Sequence, residues 1–326
     1  MCIRSVKSLL ISAVFLAGVC GAEYSPAVSA SVVVDAKNCD VIYSYNADVK
    51  TQPASLAKMM TLLLTFKALQ RGVISLNTMI SISPHAASQS PSVLGLKSGE
   101  SISVRDAILA LIVKSANDIA VALAERIGKS ESLFVAMMNR EAKRLGMKST
   151  TFCNSSGWKD PRQQTTANDM VKLAKALLDE CPGYYHYFSN KQFYLKGKCI
   201  KGHNALLGKR GDIIVDGIKT GFVNASGFNL ATSAVKGKNR LIAVVLGGKT
   251  SRERDNLMDI LLKKGFLKLK NLEMLKNRQK SSKAAQNKSD GQPKIVPALD
   301  RQTVPDTLGI YNKISKLTQN NEIKNE

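Results

Sequence analysis

The spacing of apolar residues changes twice along the chain. Ser31 to Val34 and Val41 to Tyr45 are short β-rich runs around Asn38-Cys39, which predicts a hairpin. From Ser55 to Cys181 the spacing is helical. Leu56, Met59, Met60, Leu63, Leu64 and Leu69 recur at helical intervals until Gly72 supplies a stop, with Pro53-Ala54 leading in. Val104 to Val113 forms a second helical run, opened by Ser103 and Asp106 at capping-box spacing, and Ile119 to Ile127 forms a third. Strand-like runs return at Phe193, Ile213, Phe228 and Leu241, and a last helix is predicted over Ser251 to Lys268. Strands from both ends of the chain around a helical middle predict an α+β fold rather than alternating βα units. From about Asn271 the chain turns polar, with Pro293, Pro297 and Pro305 as breakers, so residues 271–326 read as a linker or disordered tail. Ile310, Ile314 and Leu317 there are too few to make an anchoring amphipathic helix.

The first residues follow another pattern. Arg4 and Lys7 precede an apolar stretch, Leu9 to Val19, that is too short for a membrane span, and Cys20-Gly21-Ala22 offers small residues for cleavage. Residues 1–22 are therefore expected to be a secretory signal, with a second candidate cut after Ala30. Four cysteines remain beyond it, Cys39, Cys153, Cys181 and Cys199, and an oxidising exterior would permit disulfides among them. No metal site is expected, because the four are scattered and His85, His186 and His203 form no ligand spacing with them.

Candidate chemistry lies in three short motifs whose order and context matter more than their letters. Ser55 and Lys58 stand three apart at the head of the first helical run, so both lie on one face and the amine can reach the hydroxyl. Ser115-Ala116-Asn117 falls between two helical runs, where a turn can aim both side chains into a cleft. Lys219-Thr220-Gly221 ends a strand-like run from Ile213, with Gly217 and Gly221 keeping the backbone bare for a ligand and Lys219 facing it. The same patterns recur elsewhere in poorer settings. Ser156/Lys159 lies in a loop, Ser233/Lys236 lies in a strand whose i and i+3 positions face opposite ways, and Lys97-Ser98-Gly99 only mimics the third motif.

Together the three motifs resemble those of the penicillin-recognising serine enzymes. Longer segments narrow the resemblance: Pro53 to Thr61, Ser115 to Asp118, Asp216 to Phe222, Ser226 to Ala231 and Gly247 to Thr250 are similar to the low-molecular-mass penicillin-binding proteins that act as D-alanyl-D-alanine carboxypeptidases. That resemblance implies a mainly antiparallel sheet flanked by helices, an inserted all-helical subdomain, the site in the seam between them, and a catalytic domain over residues 23–270. It also implies roles. Ser55 is the nucleophile, Lys58 its base, Ser115 the proton relay to the leaving amine, and Asn117 a holder of Lys58 and the substrate amide. The backbone N–H groups of Ser55 and Phe222 form the oxyanion site, and Gly221 is among the substrate-binding residues. Lys219, Thr220 and Arg254 receive the substrate carboxylate, and His203 lines the cleft. Val223 stands where relatives more often carry Thr. No cofactor is required. The implied partners are peptidoglycan stem peptides, with β-lactams as covalent inhibitors.

The formal net charge of +22, most of it in the catalytic region, suits an anionic wall polymer or membrane surface. Nucleic acid is not an expected partner, since a secretion signal is present and no base-reading module is recognisable. A class A β-lactamase carries the same elements at similar spacing, but it also needs a loop glutamate to activate water, and Cys153 to Pro161 contains none. A DD-endopeptidase and a catalytically silent wall-binding module remain as alternatives.

Overall fold

Strands from the two ends of the sequence meet in one antiparallel sheet. The computed structural model describes residues 28–286, so the expected signal at 1–22 and the Ile310, Ile314, Leu317 stripe lie outside the described residues. The elements in chain order are strands β1 (Ala30–Asp35) and β2 (Val41–Tyr45), helix α1 (Lys58–Gln70), β3 (Met79–Ser81), α2 (Pro84–Ala87) and β4 (Ser101–Ser103). Helices α3 (Val104–Leu109), α4 (Asn117–Gly128), α5 (Glu131–Arg144), α6 (Ala167–Glu180) and α7 (Pro182–Tyr185) follow. The chain continues through β5 (Gln192–Leu195), β6 (Lys198–Lys201), β7 (Gly208–Arg210), β8 (Ile213–Val223), β9 (Gly227–Lys236), β10 (Asn239–Gly248) and α8 (Ser251–Gln286). The large sheet runs β2-β1-β10-β9-β8-β7, with two small hairpins, β3-β4 and β5-β6, beside it.

Both faces of the sheet are covered, which explains why Leu241 to Leu246 is apolar without alternation. Val33, Leu241, Ala243 and Val245 pack with Met258, Leu261, Leu262 and Phe266 of α8. Val32, Val34, Ile242, Val244 and Leu246 join the helical lobe's core instead. At the centre of that lobe, α1 is buried continuously from Lys58 to Phe66, as expected of a helix apolar nearly all round. Buried hydroxyls there find partners. Thr61 Oγ1 donates to the Ser155 carbonyl at 2.6 Å and Thr65 Oγ1 to the Thr61 carbonyl at 2.8 Å.

The α+β sandwich with a helical insertion agrees with the sequence pattern, and two local features depart from it. The run Val104 to Val113 is not one α-helix: α3 stops at Leu109, a single π turn covers Ala110–Lys114, and Ser115 closes it in a left-handed conformation at φ 63°. Such turns are frequent at functional sites because they re-aim the residue that follows. Helix α8 continues to Gln286, past the predicted end at Lys268 and into the polar stretch. Among the described side chains beyond that point only Leu269 is buried, but no Gly or Pro occurs before Gly291, and Lys, Arg, Glu, Leu and Ala all favour helix. The four cysteines are free: Cys39 and Cys199 are exposed, Cys153 is half-buried and Cys181 buried.

Because α8 is held by one apolar face, Leu262→Ala should lower the unfolding free energy by about 2–5 kcal/mol. Leu267→Ala, at a position 61% exposed, should change it by no more than about 0.5 kcal/mol. Urea denaturation of both variants checks the difference, and equal losses would contradict the packing described.

Candidate active site

Ser55 lies in a 3₁₀ turn, Ala54–Ala57, that leads into α1, rather than in the first α turn itself. In 3₁₀ geometry positions i and i+3 eclipse, so Lys58 comes directly beneath Ser55. Ala54, just before the serine, has φ 50°, a left-handed backbone that costs a non-glycine residue energy and turns the serine outward. Lys58 is fully buried, and its Nζ meets three oxygens: Ser55 Oγ at 3.0 Å, Asn117 Oδ1 at 2.7 Å and the Ser156 carbonyl at 2.6 Å. Burial drives the Lys58 pKa well below its ordinary value, the nearby Lys219 charge adds to this, and Asp118 opposes it. The geometry suits the neutral amine. In that state two N–H groups can donate to Asn117 and Ser156, which leaves the lone pair for the Ser55 hydroxyl 3.0 Å away, as a base requires.

The left-handed Ser115 carries its hydroxyl into the same space, buried and with no hydrogen-bond partner among the described residues. Asn117 is braced from behind, its Nδ2 donating to the Ser90 carbonyl at 3.0 Å and its backbone N–H to the Ser92 carbonyl. Asp118 fixes the same loop by accepting from the N–H groups of Leu94 at 2.9 Å and Gly95 at 3.0 Å. Burial raises the Asp118 pKa against those hydrogen bonds.

Strand β8 forms the opposite wall. A Cβ on Gly221 would stand 3.1 Å from the Ser55 nitrogen and 3.3 Å from that of Leu56, so the missing side chain lets the strand lie against the nucleophile turn. Gly217 differs from expectation. Its missing Cβ makes room for the Tyr185 hydroxyl and Phe188, not for a ligand, because helix-lobe residues cover it. Lys219 also differs: it is 2% exposed and sits behind the lining rather than on it, with Nζ donating to the Thr220 carbonyl at 3.0 Å. Burial first, and the Arg254 charge second, push Lys219 down to about 7.

Between these walls is a cleft of about 520 Å³ lined by Ser55, Ser115, Asn117, His203, Thr220, Gly221, Phe222 and Arg254, with Lys58 and Lys219 behind them. All ten residues singled out in the sequence therefore converge. Phe222 is 45% exposed and stacks on Phe228 at 4.3 Å between ring centroids. Arg254 is nearly buried. Its Nε and Nη2 donate to Asp255 Oδ1 at 2.9 and 2.7 Å, and its Nη1 to the Asn229 carbonyl at 3.4 Å. Burial lowers the His203 pKa, with Lys219 and Lys114 acting in the same direction. Among the described residues no group of His, Cys, Asp or Glu is arranged to hold a metal.

The sequence pattern misses Trp158 and Ser92 in the lining and, above all, the Ser156 carbonyl on Lys58. The Ser156 side chain lies in a loop where it does not pair with Lys159. The atom that matters is a backbone oxygen, which no residue letter reports. The other decoy stays inert: the Ser233 hydroxyl accepts from Arg240 on the neighbouring strand.

A family model described as D-alanyl-D-alanine carboxypeptidase matches residues 22–250. The chain belongs to the D-alanyl-D-alanine carboxypeptidase family. It is 38% identical over 250 residues to the D-alanyl-D-alanine carboxypeptidase DacC of Escherichia coli, covering 74% of this chain and 62% of that one. The chain thus spans less than two thirds of that relative's length. Among solved structures, the D-alanyl-D-alanine carboxypeptidase DacD of Francisella tularensis matches with a TM-score of 0.69 at 29% identity, over 80% of this chain and 73% of that one. A penicillin-binding protein of Listeria monocytogenes in its ampicillin-bound form matches with a TM-score of 0.65 at 29% identity, over 74% of this chain and 98% of that one.

Since a cationic neighbour disfavours an ammonium, Arg254→Ala should raise the Lys219 pKa above about 7, leaving burial alone to depress it. NMR titration of isotope-labelled lysine side chains measures this. An unchanged or lowered value would show that Arg254 does not act on Lys219.

Proposed function

We propose that this chain is a serine-type carboxypeptidase that removes the terminal D-alanine from peptidoglycan pentapeptide stems through an acyl-enzyme. The observation that carries the proposal is the fully buried Lys58 amine, its pKa driven well below the ordinary value by burial and its Nζ 3.0 Å from Ser55 Oγ, in a cleft whose wall carries Thr220 and Arg254. Ser55 Oγ attacks the carbonyl between the two D-alanines while Lys58 takes its proton. The N–H groups of Ser55 and Phe222 stabilise the oxyanion. Ser115, whose hydroxyl has no partner among the described residues, passes a proton to the leaving amine, and D-alanine departs. Water then attacks the ester on Ser55 and releases the shortened peptide.

The free carboxylate of the substrate is received by Thr220 and Arg254, with Lys219 adding charge from behind while it is protonated, below about 7. Asn117 holds Lys58 and the peptide amide, and His203 and Phe222 flank the stem. The proposal places the protein outside the cytoplasmic membrane, supported by the basic, apolar, small-residue order of its first 22 residues. Its positive charge favours contact with anionic wall polymer or a membrane surface. Among the described residues no helix is long and apolar enough to cross a membrane. Residues 23–270 are taken as the catalytic domain, with α8 carrying the chain beyond it.

Incubation with purified muropeptides followed by mass spectrometry should show loss of one terminal alanine from pentapeptides, a product that Ser55→Ala does not make. Cleavage of cross-linked dimers without that loss would point to an endopeptidase instead. Covalent labelling by a fluorescent penicillin should vanish in Ser55→Ala and persist in Ser156→Ala and Ser233→Ala, whose hydroxyls hydrogen-bond to Asn154 and Arg240 respectively.

Among the described residues lining the cleft there is no Asp or Glu to activate a second water. After a β-lactam ring opens, the leaving nitrogen stays tethered and obstructs the path of water. Bound antibiotic should therefore remain on Ser55 for minutes or longer, as followed by intact-protein mass spectrometry over time. Turnover of benzylpenicillin at several per second would favour the β-lactamase reading.

A further inference from the structure

The loop from Cys153 to Trp158 supplies the third oxygen on Lys58, and its position is set from outside the cleft. Ser155 is pinned on two sides. Its N–H and Oγ both donate to Glu131 Oε1, at 2.9 and 2.6 Å, and its carbonyl accepts from Thr61 Oγ1 at 2.6 Å. Thr61 lies one helical turn beyond Lys58 on α1, so the next carbonyl along the loop, that of Ser156, is presented to Lys58 Nζ at 2.6 Å. Glu131 is the first residue of α5, where the helix dipole favours a carboxylate, and its other oxygen lies 2.9 Å from His85 Nε2. Its side chain is only 17% exposed, and it does not line the cleft.

We propose that Glu131 is a positioning residue for the base: by clamping Ser155 it sets the Ser156 carbonyl that orients the Lys58 lone pair toward Ser55. The physical argument is one of geometry. A primary amine rotates freely about its last bond, so its lone pair has a defined direction only if both N–H groups are held. Asn117 holds one and the Ser156 carbonyl the other. Hydrogen bonds to a carboxylate are about twice as strong as neutral ones, which makes Glu131 a firm anchor for an otherwise Ser- and Gly-containing loop. Groups that support catalytic side chains from behind govern their precision in this way.

The inference rests on the reading of Lys58 as the base of acylation, and the test separates the two. Stopped-flow acylation by a reporter β-lactam is measured across pH, with rates normalised to the active sites titrated by fluorescent penicillin. Glu131→Ala should acylate about tenfold or more slowly per site, a loss typical of a misaligned catalytic group. Its acid limb should move to lower pH, because an ammonium that loses an acceptor is harder to form. Glu131→Gln keeps both acceptor contacts and should stay within about threefold of the parent, and Ser155→Ala, losing only the Oγ contact, should fall between. A merely structural role would reduce the number of titratable sites without changing the rate per site or the limb. Parent-like rates and limb in Glu131→Ala, or a Glu131→Gln loss as large as that of Glu131→Ala, would overturn the proposal. Should Glu131→Ala yield no folded protein, Ser155→Ala decides: a drop of several-fold supports the clamp and an unchanged rate overturns it. A parent protein that no β-lactam labels would instead remove the reading of the site itself.

Discussion

A fully buried lysine whose hydrogen-bond partners are all neutral is the constraint from which the site follows. Lys58 has lost its water, and its three partners are neutral oxygens that cannot repay the cost of keeping a full charge. The proton is therefore held loosely, and the amine becomes a base in a setting where an exposed lysine would be an inert cation. The second buried lysine reinforces the effect. Lys219 lies near enough for its charge to act on Lys58, and is itself disfavoured by burial and by Arg254. Arg254 thus disfavours the charge on Lys219, and Lys219 disfavours the charge on Lys58.

The seam of the fold is where such an arrangement can be built. Helix α1 brings Ser55 and Lys58 from the core of the helical lobe, β8 brings Thr220, Gly221 and Phe222 from the sheet, and the turn after the π segment brings Ser115 and Asn117. Left-handed backbone at Ala54 and at Ser115 marks both sides of the cleft. Strain of this kind persists only where surrounding packing determines it, and α1 is buried on every side. The rigid parts of the site rest on elements with large cores on both faces of the sheet, so the cleft residues need not contribute to stability.

The sequence by itself determined the kind of elements, their order, and the chemistry they carry. Helical spacing put Ser55 and Lys58 on one face, the apolar strands predicted a sheet closed by both ends of the chain, and the three motifs converge because each sits on a different element meeting at one seam. It did not determine what depends on atoms without letters or on distances across the fold. Polarity does not mark the end of α8, because residues of high helix propensity carry the helix past Lys268 through the polar run to Gln286. Gly217 and Gly221 look alike in the strand, yet one accommodates Tyr185 and the other the nucleophile turn. The Ser156 carbonyl, and Glu131 behind it, became visible only in three dimensions. A backbone oxygen has the same identity at every residue, and only tertiary packing decides which one meets a buried amine.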